Sequence, residues 1–385
     1  MVSTSSITRR GLLCGCAGLV AAGGLAGLAD LGRAAARQRG TGGERLRIGY
    51  LPITDAAPLL VADRSAAAAD LAEPVLFRSW AALAEAFLTR QVDIVHLLMP
   101  MAVQLRFGLG APARVLGWNH TNGSALTVAP GITELGQLAG TQVAIPFWWS
   151  IHNIVIQQLL RANGLRPVIR GAAARSAGTV ELVVMSPSDM VPALANGSIS
   201  AFTVADPFNA VAELRGVGRI HRFLGDLWRD HACCALVVHQ DLLDRRPAAA
   251  QAVADAIVAA QLRIGADRPA AAKQLAGAYL PQPLPAITKA LTYPDALPVR
   301  HPDWQPQRIG FQPFPFPSFT TALVAAMHDT VVDGDTRFLA ALDPDRVHDA
   351  LVDDRFVRAA LARAGGPAAF GLPDRLTRIE EIDPS

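Results

Sequence analysis

Thr141-Gln-Val-Ala-Ile-Pro-Phe-Trp-Trp-Ser150-Ile-His152-Asn153 decides how the rest of the chain reads. Val143 to Ile145 is a short apolar run of strand type that breaks at Pro146, and the apolar run Ile154 to Leu160 begins as a helix near Ser150. The turn between them carries two tryptophans, a hydroxyl, an imidazole and an amide. The first turn of a helix has unpaired N–H groups and the positive end of the helix dipole. A strand-to-helix turn with polar side chains is therefore suited to a small anion. No catalytic nucleophile is evident in it.

The same grammar runs outward in both directions. Upstream, Leu46 to Leu51 reads as a buried strand, and Thr54-Asp55-Ala-Ala-Pro58 opens a helix with a capping residue and an early proline. Strands follow at Pro74 to Phe77, Val92 to Leu97 and Ala113 to Gly117, with helices at Ala81 to Thr89 and Met101 to Phe107. Asn119-His-Thr-Asn122-Gly123-Ser124 is a turn cluster, followed by Ala125 to Val128 and a short helix, Ile132 to Leu138. Downstream come strands at Val180 to Met185 and Ala201 to Val204, helices at Met190 to Ala195 and Phe208 to Leu214, and a returning strand at Cys233 to Val238. Alternation of strand and helix predicts parallel sheets covered by helices. Helices are expected at Arg246 to Ile264, Pro269 to Ala278, Ser318 to Val332 and Asp345 to Ala364. The proline-studded segment Pro281 to Pro317 reads as an irregular strap.

Polar residues gather where strands end: Asp55, Ser79-Trp80, Met99, Ser124, Ser150 to His152, Ser186 and Asp206. Open parallel sheets bind ligands at that edge, and two such edges facing each other make a cleft. His152 would point an N–H into it beside helix amides, or else serve as a capping or core histidine. Trp80, Trp148 and Trp149 could wall a pocket or pack in the core. Asp55 and Asp206 each begin a helix, where a carboxylate caps free N–H groups or meets a ligand.

Composition bounds the rest. The chain has 385 residues, 51% hydrophobic and 18% charged, with a net charge of +2, which predicts a folded protein of two lobes. Its basic residues are nearly all arginine, the lysines being Lys273 and Lys289, and they form no basic stripe interleaved with aromatics. Nucleic acid is not expected as a partner. Thr8-Arg9-Arg10-Gly11-Leu12-Leu13 has the twin-arginine form of an export signal, with no charge until Asp30 and a small-residue site near Ala34-Ala35-Ala36. Leu13-Cys14-Gly15-Cys16 also resembles a lipobox with Cys16 as the acylated residue. Cleavage would leave Cys233 and Cys234, neighbours that rarely bond to each other and that carry no metal spacing. Two buried thiols at a strand start are their plain reading.

Enzyme motifs are missing. There is no G-x-S-x-G elbow, no H-E-x-x-H and no phosphate loop. The nine histidines are dispersed without close metal spacing, and neither a cofactor nor a metal is expected.

Five motifs in order carry a resemblance: Ile48-Gly-Tyr-Leu-Pro-Ile-Thr54-Asp55-Ala-Ala-Pro58-Leu, Val95-His96-Leu-Leu-Met99-Pro100-Met101, Thr121-Asn122-Gly123, Pro146 to Asn153, and Val204-Ala-Asp206-Pro207-Phe208-Asn209. Together they resemble the nitrate/bicarbonate branch of periplasmic ABC-transporter solute-binding proteins, related to the sulfonate and taurine binders. The resemblance implies a type II periplasmic-binding-protein fold, α/β and two-lobed, with a small oxyanion or similar solute held between the lobes and passed to an inner-membrane permease. By the same resemblance Trp80 is the pocket tryptophan and His152 the pocket histidine. Ser124 stands where the family often has glutamine after Thr-Asn-Gly. A position that carries lysine in nitrate binders, or an acid in bicarbonate binders, falls near Cys233 or Cys234. The family's Gly-Phe-Phe after the first helix is replaced by the alanine-rich Ser65 to Ala69.

The expected organisation is a signal peptide at 1–36, a linker at 37–44, the first part of lobe 1 at 45–128, lobe 2 at 129–229, and a return to lobe 1 with C-terminal helices and strap at 230–385. The expected ligand-binding set is Asp55, Trp80, Met99, Ser124, Trp149, Ser150, His152, Asn153, Asp206 and Cys233. The expected function is that of an exported, monomeric solute-binding component of an ABC importer in the periplasm. Nitrate, nitrite, cyanate, bicarbonate and a small sulfonate all stay open as its solute. The alternatives are a ligand sensor of the same fold that signals to a protein partner, and an enzyme built on that fold.

Overall fold

A computed structural model describes residues 45–63, 71–293 and 309–384. The expected signal peptide, the linker, Cys16, Ser65 to Ala69 and part of the strap lie outside the described residues.

Two sheets form the frame. The first takes β1 (Leu46–Tyr50), β2 (Ala72–Leu76), β3 (Ile94–Leu98) and β4 (Ala113–Trp118) from the N-terminal part of the chain. Between them lie α1 (Ala57–Asp63), α2 (Trp80–Leu88) and α3 (Met99–Val103), the last continued by a π-type turn over Gln104–Gly108. The second sheet holds β5 (Ser124–Val128), β6 (Gln142–Ile145), β7 (Arg166–Val168), β8 (Thr179–Val184), β9 (Ala201–Ala205) and β10 (Arg219–Phe223), with helices α4 (Ile151–Ala162), α5 (Pro187–Ala195) and α6 (Phe208–Leu214). β11 (Cys234–His239) then returns to the first sheet. The strand orders are β2-β1-β3-β11-β4 and β10-β5-β9-β6-β8-β7.

Among the described residues, two of the four pairings in the first sheet and three of the five in the second are parallel. The central strands read as continuous apolar runs because helices cover both faces; Ile94 to Leu98 and Ala201 to Ala205 are buried throughout. β11 runs antiparallel to β3 and β4, and β5 runs antiparallel to β9 and β10. Each is the first strand laid down after the chain crosses between sheets. The antiparallel sense brings the start of β5 and of β11 to the edge where the parallel strands end. Ser124 thus pairs with Ala205, and Cys234 with Leu98.

The first crossover is Asn119 to Gly123. Its turn uses left-handed backbone at Asn122 (φ 54°) and Gly123 (φ 84°), conformations that Asn and Gly adopt at least cost. Here the boundary expected after Val128 needs correction. Ser124–Val128 hydrogen-bonds along β9 and β10, so this strand opens the second sheet. The second crossover precedes β11, and the Asn122 N–H donates to the His231 carbonyl at 2.9 Å, tying the two crossovers together.

The rest of the chain packs mainly around the first sheet: α7 (Gln240–Arg245), α8 (Pro247–Ala266), α9 (Arg268–Leu275), α10 (Leu284–Leu291), α11 (Pro317–His328), α12 (Pro344–Leu351) and α13 (Arg355–Arg363). The segment expected to be irregular from Pro281 holds α10, whose Lys289 reaches Glu213 of the second sheet's α6 at 2.8 Å. Its end does act as a strap: Gly310 exchanges backbone hydrogen bonds with Thr121, and Pro313 accepts from the Trp118 N–H. The single helix expected over Asp345 to Ala364 is two, because Val352 bridges to Val115 and the Asp353 N–H donates to the Val115 carbonyl. β7, β10, α7 and α10 had no expectation in the sequence; β7 is three residues long and most of β10 is half-buried, so neither shows a clear apolar alternation. No helix among the described residues is long and apolar enough to cross a membrane.

Candidate functional site

The two strand edges meet in a buried polar seam. Thr54, just after β1, donates both its backbone N–H (2.8 Å) and its hydroxyl (2.9 Å) to the carbonyl of Asp206, just after β9. Asn119 donates its side-chain amide to the Asp55 carbonyl. The Thr54–Asp206 bonds hold the sheets edge to edge, and the Asn119–Asp55 bond ties the first crossover to the turn after β1.

On the first-sheet side, Asp55 sits in a single 3-10 turn, and its Oδ2 lies 3.0 Å from His120 Nε2, both side chains fully buried. Burial pushes the Asp55 carboxyl up, offset in part by His120. Burial also works against the His120 imidazolium, but the Asp55 charge beside it prevails and lifts it to about 10. Cys233 and Cys234 join this pair, their sulfurs 3.7 Å apart. Burial alone would raise the Cys233 thiol; the contacts with Cys234 and His120 bring it down, while Cys234 is pushed up. Asp55, His120, Cys233 and Cys234 each offer one ligand atom, all within 4.8 Å of one another. His96 lies behind, its ring 6.0 Å from that of His120, buried and without a hydrogen-bond partner.

On the second-sheet side, Ser150 caps α4: its hydroxyl accepts the Asn153 N–H at 3.1 Å and donates to the Phe147 carbonyl at 2.7 Å. That start angle places His152 against Ser124, Nε2 to Oγ at 2.9 Å. Burial, reinforced by repulsion from His231 when that ring is protonated and from the His120 charge, holds His152 down at about 3, so it is neutral. Its Nδ1 is buried without a partner. His231 donates its Nδ1–H to the Trp228 carbonyl (2.7 Å), and burial holds it at about 4.

The expected residues divide. Asp55, Cys233, Ser124 and His152 line the seam as described. Trp80 begins α2 after the Ser79 cap, is buried, and its indole N–H has no partner. Met99 begins α3, and its N–H donates to the Cys233 carbonyl at 2.9 Å, which positions the cysteine pair. Asp206 is buried, and burial pushes it up to about 7; its Oδ1 accepts from the Ala210 N–H at 3.3 Å and the Tyr293 hydroxyl at 3.4 Å. Ser150 and Asn153 have their polar atoms engaged within the chain. Asn153 donates to the Trp148 and Val331 carbonyls and accepts from Gln157 at 2.8 Å. Trp149 packs edge-on against Phe338 with ring centroids 5.5 Å apart, which gives it a core role. His120 was absent from the expected set. The only sequence signal was its place in the turn cluster, and its partners lie 65 and 113 residues away in the chain.

A cavity of about 430 Å³ is lined by Leu51, Ile53, Arg78, Ser188 and Phe208, and by Tyr279 from the C-terminal part, and none of the expected site residues or His120 is among its lining. It is of the size that small-molecule clefts have.

With this geometry in hand, comparison with known proteins gives a consistent result. The nitrate/nitrite binding protein NrtA of Nostoc sp. is 26% identical over 242 residues, 56% of this chain and 53% of that protein. The chain spans about half the length of such curated relatives. The periplasmic nitrate-binding protein NrtA from Synechocystis PCC 6803 superimposes with a TM-score of 0.73 at 20% identity, covering 88% of this chain and 94% of that one. The alkanesulfonate-binding protein SsuA from Xanthomonas axonopodis pv. citri, solved bound to MOPS, gives 0.60 at 17% identity over 80% and 98%. The fold is the two-lobed periplasmic-binding-protein fold. Residues 40–280 match the model of the NMT1-like family, and the chain belongs to that family.

Proposed function

We propose that the protein is the extracytoplasmic solute-binding component of an ABC importer, that it captures a small polar solute or oxyanion between its lobes, and that it hands the solute to a membrane permease. The observation that carries this reading is the meeting of two polar walls. Trp80 Nε1 and His152 Nδ1 are buried polar atoms without partners, and such atoms are costly unless something satisfies them. Family membership supports the same reading, as do relatives whose names specify nitrate, nitrite and alkanesulfonate.

Charge narrows the solute. His120 is the buried cation of the seam, and Asp55 already balances it. A compact solute held by neutral donors fits better than a multiply charged anion. Nitrate, nitrite, cyanate, bicarbonate and a small sulfonate form the test set.

Thermal unfolding of the protein against that set tests the proposal, since a solute that binds only the folded state raises the melting temperature. At least one solute should give a concentration-dependent shift that His152→Ala abolishes while the variant keeps its native circular dichroism. A full shift in His152→Ala would remove His152 from the pocket. No shift with any of the five would overturn the oxyanion reading. A sensor of the same fold would show the shift and bind a protein partner with no permease present; an enzyme would consume the solute.

A further inference from the structure

The first-sheet wall has a chemistry that anion capture does not use. Asp55, His120, Cys233 and Cys234 are fully buried, and their ligand atoms lie within 4.8 Å of one another. Donors around a tetrahedral zinc ion, at bonds of roughly 2.0–2.3 Å, stand about 3.3–3.8 Å apart. Small side-chain rotations would close the set around one ion. The two sulfurs, at 3.7 Å, already have that separation.

A second observation points the same way. Both carboxylate oxygens of Asp55 and both ring nitrogens of His120 lack a hydrogen bond of good geometry, although Nε2 and Oδ2 approach to 3.0 Å. Buried polar atoms left without well-formed partners are costly, and a cation between carboxylate, imidazole and thiols would satisfy them together. Two thiolates, one imidazole and one carboxylate are a borderline-to-soft donor set. That set selects zinc-type ions over calcium or magnesium, which prefer oxygen donors.

We infer that Asp55, His120, Cys233 and Cys234 form a four-ligand site for a zinc-class divalent ion at the floor of the cleft. The site draws on three separate segments. His120 lies in the first crossover, Cys233 ends the second and Cys234 opens β11, and Asp55 follows β1. An ion there would cross-link both crossovers to the first sheet, next to the wall that holds His152 and Ser124. The inference stands apart from the identity of the solute.

Metal titration of the full chain, purified under reductant and without chelator, tests it with Co2+ and Zn2+ as probes. Co2+ should bind once per chain, with a thiolate-to-metal charge-transfer band in the near ultraviolet and intense visible bands of tetrahedral cobalt; Zn2+ should displace it. Cys233→Ser and Cys234→Ser should each weaken binding by more than the roughly 10–100-fold that loss of a group supporting a ligand from behind costs, and each should reduce the charge-transfer band. The full chain also carries Cys14 and Cys16, so a Cys14→Ser/Cys16→Ser double variant serves as the control and should keep the whole spectrum. Loss of the spectrum in that control would overturn the site. So would stoichiometric Co2+ without a charge-transfer band, or binding unchanged in both Cys233→Ser and Cys234→Ser. Should those two variants misfold by circular dichroism, the spectrum of the Cys14→Ser/Cys16→Ser protein decides alone. The thermal shift with nitrate or a sulfonate is a separate readout. Metal binding without an anion shift would sink only the oxyanion reading, and the reverse would sink only the metal site.

Discussion

The two walls of the cleft each bury a histidine completely, and the two histidines end in opposite protonation states. His120 faces a carboxylate and is lifted to about 10. His152 faces a serine hydroxyl and is held at about 3. Burial disfavours the imidazolium in both, so the partner decides the outcome. The first wall is ionic and carries thiols; the second is neutral and hydrogen-bonded. The first wall keeps its charge bound into the scaffold as the Asp55–His120 pair.

The pH dependence of stability tests the contrast most severely. His152, His231 and His239 sit at about 3, 4 and 3 in the fold, against about 6.5 in an open chain. Between those values the unfolded chain binds more protons, so stability rises as pH climbs from about 3 to about 6.5. Asp206 at about 7, with Asp55 and Asp230 also raised, acts the other way above about 4. His96, His221 and His348 are lowered as well, however, so among the described residues six lowered imidazoles stand against three raised carboxyls. His120 adds stability that is fully present below about 6.5 and lost as pH rises through about 10. The melting temperature should therefore peak near neutrality and fall on both sides. A melting temperature that stays level from pH 6.5 down to pH 4 would mean that His152 and His231 are not held neutral.

His120→Ala breaks the ionic wall. It leaves the buried Asp55 without its cation, and losing one partner of a buried pair costs about 3–5 kcal/mol. Urea unfolding measures this, and adding Asp55→Asn should recover part of it. An unchanged midpoint would show that the pair contributes nothing to stability. Ser124→Ala breaks the neutral wall at smaller cost. It strands His152 Nε2, about 1–3 kcal/mol for an unsatisfied buried group, and a loss larger than that of His120→Ala would reverse the proposed ranking of the walls. Ser150→Ala removes the α4 cap that aims His152, worth about 1 kcal/mol. It should lower solute affinity through misplacement of His152, and full affinity at reduced stability would make the cap structural only.

Much of the frame was legible because it rests on local rules. Pro146 ends β6, Ser150 caps α4, and Phe208–Leu214 forms the helix expected there. The Asn122-Gly123 turn was visible as well, since few other residues tolerate its backbone. Where the long-range pairing of a strand or the break of a helix mattered, local pattern failed. Ser124–Val128 looks the same whichever sheet it joins, and only its bonds to β9 and β10 assign it. Val352 to Asp354 continues an amphipathic pattern, yet pairing with Val115 interrupts the helix. In the seam, the polar turns that hold His152 and Ser124 were readable, but not that the two side chains meet. Trp149, Ser150 and Asn153 shared the same turn but are spent on Phe338, the Phe147 carbonyl and Val331.

Taken alone, then, the sequence determined the alternation of strands and helices, the polar turns at strand ends and the family motifs, because each depends on residues a few positions apart. The tertiary structure alone decided what those turns do together. Reversal of β5 and β11 after the two crossovers carries Cys233 and Cys234 to the edge that holds Asp55 and His120. No spacing along the chain encodes that meeting, because it follows from the direction in which a returning strand enters its sheet.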